Sequence, residues 1–254
     1  MSEWLDPVVA AGIVAFIALA ARSAWRQPVD PHIASAVGGS PLLGSRIRAW
    51  YLSYLEPIEE RCVQWGLRPS DLSFTQLLIS VVGAIVFAEG MLFTGGWLLL
   101  VTGSLDIVDG RLARRTDRAS PQGAFLDSVT DRYADAFGFM GLAVYYRTNA
   151  FLWVTLVALV GSLLVSYTRA RAEGLGQSCK VGLLQRPERY VLLGFGCIFS
   201  VLLARLSALI APIPNDLVLR VTLLFLAVVI NLTALQRAIH VWRALGEEEA
   251  HHAH

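Results

Sequence analysis

Polar sequence is scarce in this chain. Of 254 residues only 16% are charged while 55% are hydrophobic, and no polar stretch is long enough to build a soluble domain. With a mean hydropathy of +0.55, that balance excludes an ordinary soluble protein and describes an integral membrane one. Excess charge is also lacking: the net charge of +1 offers no electrostatic footprint for a nucleic acid. The three cysteines, Cys62, Cys179 and Cys197, are odd in number and show no metal-ligand spacing, so neither a disulfide framework nor a thiolate metal site is expected. The first apolar run, Pro7 to Ala21, has no basic segment before it and no small-residue cleavage site after it, which argues against a cleaved signal peptide. We read it as a membrane-associated helix that spans; a surface helix or an uncleaved anchor are the alternatives.

Apolar runs of near-spanning length recur at Leu72 to Phe93, Gly95 to Arg111, Gly123 to Tyr146, Phe151 to Tyr167, Tyr190 to Ile210 and Leu217 to Ile239. The predicted fold is therefore an all-α integral membrane protein with six transmembrane helices. Ahead of them, Arg46 to Trp65 carries Ile47, Trp50, Tyr51, Tyr54, Leu55, Ile58 and Cys62 at helical spacing against Arg48, Glu56, Glu59, Glu60 and Arg61, the pattern of an amphipathic interfacial helix. If alternate connections share one side, that side holds all but Arg147, Arg205 and Arg220 of the 21 Lys and Arg, and the positive-inside rule makes it cytoplasmic. The organisation expected is residues 1–45 as an N-terminal membrane-associated helix and linker, 46–245 as the membrane domain, and 246–254, rich in Glu and His, as a disordered tail.

Against this background four carboxylates stand out. Asp106 and Asp109 lie three apart before the polar stretch Arg115 to Gln122, and Asp127 and Asp131 lie four apart after it. On two helices joined by that short turn, each pair shares a face and all four lie at one depth. Carboxylates are too costly in a membrane to sit there idle, and several together repel unless a cation neutralises them. Hard divalent ions take such oxygen ligands, and Mg²⁺ characteristically shares its positions with substrate phosphates. Gly110, directly after Asp109, leaves room for a ligand near the backbone, and Arg114 one turn later suits a phosphate. Asp135, one turn past Asp131, is read as structural, paired with Arg132 or with a neighbouring helix.

The complete string D-x2-D-G-x2-A-R-x8-G-x3-D-x3-D, from Asp106 to Asp131, resembles the signature of the CDP-alcohol phosphatidyltransferases. The segment Gly66-Leu67-Arg68-Pro69-Ser70-Asp71-Leu72-Ser73, a turn and helix start in its own right, is similar to a family segment that contacts the CDP-activated lipid, with Ser70 where Asn is more usual. The resemblance covers about Arg46 to Ile239. It implies transfer of a phosphatidyl or similar group from a CDP-alcohol to a hydroxyl acceptor with release of CMP, using Mg²⁺, with Mn²⁺ as the alternative. Carried over by position, Asp106, Asp109, Asp127 and Asp131 match metal ligands, and Asp131 matches the general base. Pro69, Ser70, Gly110, Ala113, Arg114, Ser120 and Gly123 match the CDP-alcohol site. Ser166-Tyr-Thr-Arg169-Ala-Arg171-Ala-Glu173 and Arg186-Pro-Glu-Arg189 look like the branch using inositol phosphate, the phosphatidylinositol phosphate and archaetidylinositol phosphate synthases. By that likeness Ser166, Arg169 and Arg186 hold the acceptor phosphate; glycerol phosphate, serine and other alcohols remain open, as does the simpler reading of the arginines as a positive-inside loop. The family also implies a homodimer in a prokaryotic cell (inner) membrane, in contact with membrane lipid, with the site facing the cytoplasm.

Other classes fit less of the pattern. A membrane cation-binding or transport protein would place Asp residues in its helices but gives no reason for Gly110, Ala113, Arg114 and Gly123 around them. A membrane prenyltransferase uses different Asp-rich spacing, and an inactive scaffold would be expected to have lost an Asp.

Overall fold

The computed structural model describes residue 22, residues 44–179, 181–208 and 210–252, with side chains described from 49 to 248. The predicted N-terminal helix at Pro7 to Ala21, and Lys180, lie outside the described residues. Seven helices are present among the described residues: α1 (Gly44–Gln64), α2 (Pro69–Ala88), α3 (Leu92–Arg115), α4 (Pro121–Tyr145), α5 (Phe151–Gly174), α6 (Arg186–Ser207) and α7 (Leu217–His252).

Five of them, α2, α3, α5, α6 and α7, are long and apolar enough to cross a membrane. Six were expected from the sequence. α4 has the length, 25 residues, but Asp127, Asp131, Arg132 and Asp135 interrupt its apolar run and remove it from the purely apolar set. α7 also departs from expectation. It runs to His252 through the polar residues read as a disordered tail, and Gln177 Nε2 donates to Glu248 Oε2 at 2.6 Å to hold that end against the α5–α6 connection.

The packing closes a ring in the order α2, α3, α6, α7, α5, α4 and back to α2, while α3 and α4 barely touch across it. Small residues bring neighbours close, as membrane helices require where tail lipid is as apolar as leucine. A Cβ on Gly96 of α3 would lie 2.8 Å from the carbonyl oxygen of Gly194 on α6, and one on Gly141 of α4 would lie 2.5 Å from that of Ala84 on α2. One end of the ring is filled by Phe87, Leu92, Leu142, Tyr146, Leu219 and Leu223. Because α3 descends and α4 ascends, Asp106 and Asp109 on one and Asp127 on the other come together at the opposite end.

α1 lies outside the ring, against α3. Its stripe divides: Leu55 and Cys62 pack with Leu72, Val108 and Leu112, while Tyr54, Ile58 and Trp65 stay exposed. The helix is thus packed on the protein along one flank and apolar outward along the other. Tyr51 and Ser104 share a 2.5 Å hydrogen bond that fixes the docking. Glu59, placed on the polar face by its spacing, is buried, with Arg111 Nε 2.5 Å from its carboxylate, because the end of α3 crosses over it. That burial pushes the Glu59 carboxyl up, and the charge of Arg111 opposes the shift.

Candidate active site

The end of α3 and the start of α4 diverge around a polar cleft. Oxygens of Asp106, Asp109 and Asp127, one from each, all lie within 4.8 Å of one another. Asp109 is 3% exposed. Its Oδ2 accepts from Ser73 Oγ at 2.9 Å, while its Oδ1 and Asp127 Oδ1 are buried without a hydrogen-bond partner. Buried carboxylate oxygens without donors are destabilising unless a cation meets them. Three clustered carboxylates, two of them with an orphaned buried oxygen, are the donor set a hard divalent ion takes, so the residues fit the Mg²⁺ or Mn²⁺ expected from the sequence.

Asp131 takes a different place from the fourth position in that cluster. Its Oδ1 accepts from Gln76 Nε2 at 3.2 Å, and its Oδ2 lies 2.5 Å from Arg186 Nη1. The same Nη1 is 2.6 Å from Asp106 Oδ1, and Arg186 Nε is 3.1 Å from Asp135 Oδ1. Arg186, at the first turn of α6, therefore bridges α3 and α4 where those helices part. The guanidinium also stacks over Tyr190, 5.2 Å from its ring centre. Asp135 finds its partners in Arg186, in Arg189 at 3.3 Å and in Ser162 Oγ at 2.9 Å. Arg132, the near-sequence partner expected for it, instead donates to the Ser128 carbonyl. The helix–helix alternative holds, through arginines more than fifty residues away.

The residues matched to the CDP-alcohol site gather beside this cluster in part. Pro69 and Ser70 at the start of α2 and Ser120 and Gly123 at the start of α4 line one cavity of about 370 Å³, together with Arg68 and Arg118. Ser120 also caps α4, accepting from Gly123 N at 3.1 Å. Gly110 faces the Arg114 side chain, whose Nη1 would be 3.7 Å from a Cβ there, so no packing inside the protein demands the glycine. Ala113 is half-buried beside them. Arg68 and Arg118 were missed from the sequence, although both sit in turns flanking matched positions. Ser73 and Gln76 were missed as well, and their signal was polarity within an apolar helix.

The acceptor set is less convergent. Ser166 and Arg169 lie one turn apart on α5, but Arg169 is exposed and paired with Glu173 at 2.9 Å. Arg186 is among the carboxylates rather than beside them, and its partners there, Asp106, Asp131 and Asp135, are not shared with Arg169, which pairs with Glu173.

Fold and site together define a helical integral membrane protein whose polar chemistry is confined to one end of an apolar ring. The family model for CDP-alcohol phosphatidyltransferases matches residues 67–246, and the chain belongs to that family. It is accordingly a CDP-alcohol phosphatidyltransferase, as the string from Asp106 to Asp131 suggested. Archaetidylinositol phosphate synthase of Methanothermobacter thermautotrophicus is 33% identical over 193 residues, 76% of this chain and 90% of that one. The crystal structure of phosphatidylinositol phosphate synthase of Mycobacterium tuberculosis with CDP-DAG bound is 31% identical, with a TM-score of 0.61 over 73% of this chain and 92% of that one. The same enzyme in complex with manganese and citrate gives 31% identity and a TM-score of 0.63 over 73% of this chain and 88% of that one.

Proposed function

We propose that this enzyme transfers a phosphatidyl-type group from a CDP-linked lipid such as CDP-diacylglycerol to inositol phosphate, releasing CMP. The observation that carries the reading is the clustering of Asp106, Asp109 and Asp127, with two buried oxygens lacking partners, beside a cavity lined by the matched nucleotide-site residues. Those three carboxylates, with Asp131 in reach of the same cleft through Asp106 and Arg186, would hold the divalent ion. Mg²⁺ is the ion proposed, with Mn²⁺ as substitute. When bound, it supplies charge neutralisation for the diphosphate and for the leaving CMP.

The protein's own side chains do the rest. Pro69, Ser70, Ser120 and Gly123 shape the wall against which the CDP moiety lies, Gly110 keeps the backbone open to it, and Ala113 and Arg114 complete that side. Asp131 accepts the proton of the acceptor hydroxyl as that oxygen attacks phosphorus. Arg186, with Ser166 and Arg169 at the mouth, receives the acceptor phosphate; its N–H groups are all engaged, by Asp106, Asp131, Asp135 and Tyr190, so the phosphate takes the place of one of these acceptors when it binds. Support for inositol phosphate comes from the names of the relatives, whereas the Asp106–Asp131 string alone is common to the family's other acceptors.

We further read α4 as a sixth span, closing the ring between α2 and α5, with the carboxylate end at the cytoplasmic face of a prokaryotic cell membrane and the protein a homodimer. The distribution of Lys and Arg supports the orientation. The test is CMP release from CDP-diacylglycerol by purified protein with Mg²⁺, offered inositol phosphate, glycerol phosphate, serine or inositol. Release with inositol phosphate, lost in Asp131→Asn, is expected; release with another acceptor overturns the assignment, and full activity in Asp131→Asn removes that residue as base.

A further inference from the structure

α3 and α4 supply the carboxylates yet scarcely meet, and the element packed extensively along both is α2. Ser73 and Gln76, three apart on α2, share a face and reach different helices. Ser73 Oγ donates to Asp109 on α3 at 2.9 Å, and Gln76 Nε2 donates to Asp131 on α4 at 3.2 Å. Gln76 is 0% exposed, and its own Oε1 is buried without a hydrogen-bond partner. A glutamine so placed is costlier than a leucine or methionine of similar volume. What an amide offers there is a donor to a carboxylate that carries no charge. Asp131 already meets one cation in Arg186, so a second arginine or lysine would bury an excess charge, and an acid would add repulsion to the carboxylates already gathered.

We infer that Gln76 is a positioning residue for acceptor activation: it fixes the orientation of Asp131 while Ser73 fixes Asp109, so that α2 sets the separation of the two functions across the cleft. This rests on Asp131 being the base. Arg186 holds Asp131 Oδ2 from the other side, so both oxygens are gripped, and each keeps a lone pair for an incoming hydroxyl proton.

The experiment compares wild type, Gln76→Met, Gln76→His and Asp131→Asn as purified full-length proteins, reading kcat, both substrate KM values, Mn²⁺ affinity and thermal stability. Gln76→Met is expected to lower kcat about 10- to 100-fold with both KM values within about 2-fold, since the loss is one of orientation rather than of binding. Mn²⁺ affinity and melting temperature hold, and Gln76→His, whose ring N–H again donates, recovers part of the rate. A Gln76→Met kcat close to wild type, or a loss shared by KM and melting temperature and not recovered by His, overturns the inference. Should Gln76→Met not fold, Gln76→Asn, whose amide is one methylene short, is read against the same outcomes. Asp131→Asn separates the two layers: inactive Asp131→Asn with undiminished Gln76→Met sinks only the role of Gln76, whereas active Asp131→Asn sinks the base assignment and the inference with it.

Discussion

From Phe139 to its end, α4 buries Phe139 and Leu142, with the capping residue Tyr146, in one cluster with Leu219, Leu223 and Leu226 of α7, whereas from Asp127 to Asp135 the same helix carries three carboxylates into the same ring of helices. Both stretches are shielded by the bundle, but they are held by different physics. The apolar half needs only complementary shape, and many side chains of similar volume satisfy it. The acidic half needs particular partners: Gln76 and Arg186 for Asp131, Arg186, Arg189 and Ser162 for Asp135, and, in the proposed reading, a cation for Asp127. The contrast teaches that one continuous helix can be held by shape along half its length and by specific polar partners along the other, because the membrane makes each unmatched charge expensive.

The largest effect that would sharpen this contrast is on catalysis. Asp127→Asn should cut CMP release on the order of 10³-fold, because it removes a carboxylate from the cation cluster, while leaving the melting temperature unchanged or higher as like-charge repulsion falls. Equal activity in the variant would break the distinction between the halves. Next comes Arg186→Gln, which strips a shared countercharge from Asp106, Asp131 and Asp135. Loss of one member of such a buried network should cost about 3–5 kcal/mol, seen as a lower unfolding midpoint in detergent, together with lost activity. Leu142→Ala, in the apolar half, should cost about 2–4 kcal/mol of stability and leave kcat near wild type below the new melting temperature.

The smallest effect tests the close helix approach that the halves share. Gly141→Ala puts a methyl against the Ala84 backbone, 2.5 Å from its carbonyl oxygen, and should cost about 1–3 kcal/mol with no change in KM.

How far the sequence reaches follows the same division. Five of the six expected spans, the turn between α3 and α4 and the convergence of Asp106, Asp109 and Asp127 were legible, the last because charges at helical spacing in apolar surroundings must be met by a countercharge or a ligand. The role of Arg186 within the cluster was not. It depends on α6 packing against α3, a contact between residues 80 apart that no local pattern encodes. The burial of Glu59 was hidden for the same reason: a helical wheel sees one helix, and Arg111 arrives from another. Gln76 left a faint trace as a polar residue in an apolar run, but its partner Asp131 lies 55 positions on.

In the proposed reading the acidic half of α4 closes a cation site while its apolar half only supports it. The most direct measurement is Mn²⁺ titration of the purified protein followed by electron paramagnetic resonance, in wild type, Asp127→Asn and Leu142→Ala. Saturable binding in wild type and Leu142→Ala, lost in Asp127→Asn, is the predicted result. Binding in Asp127→Asn equal to wild type would contradict it.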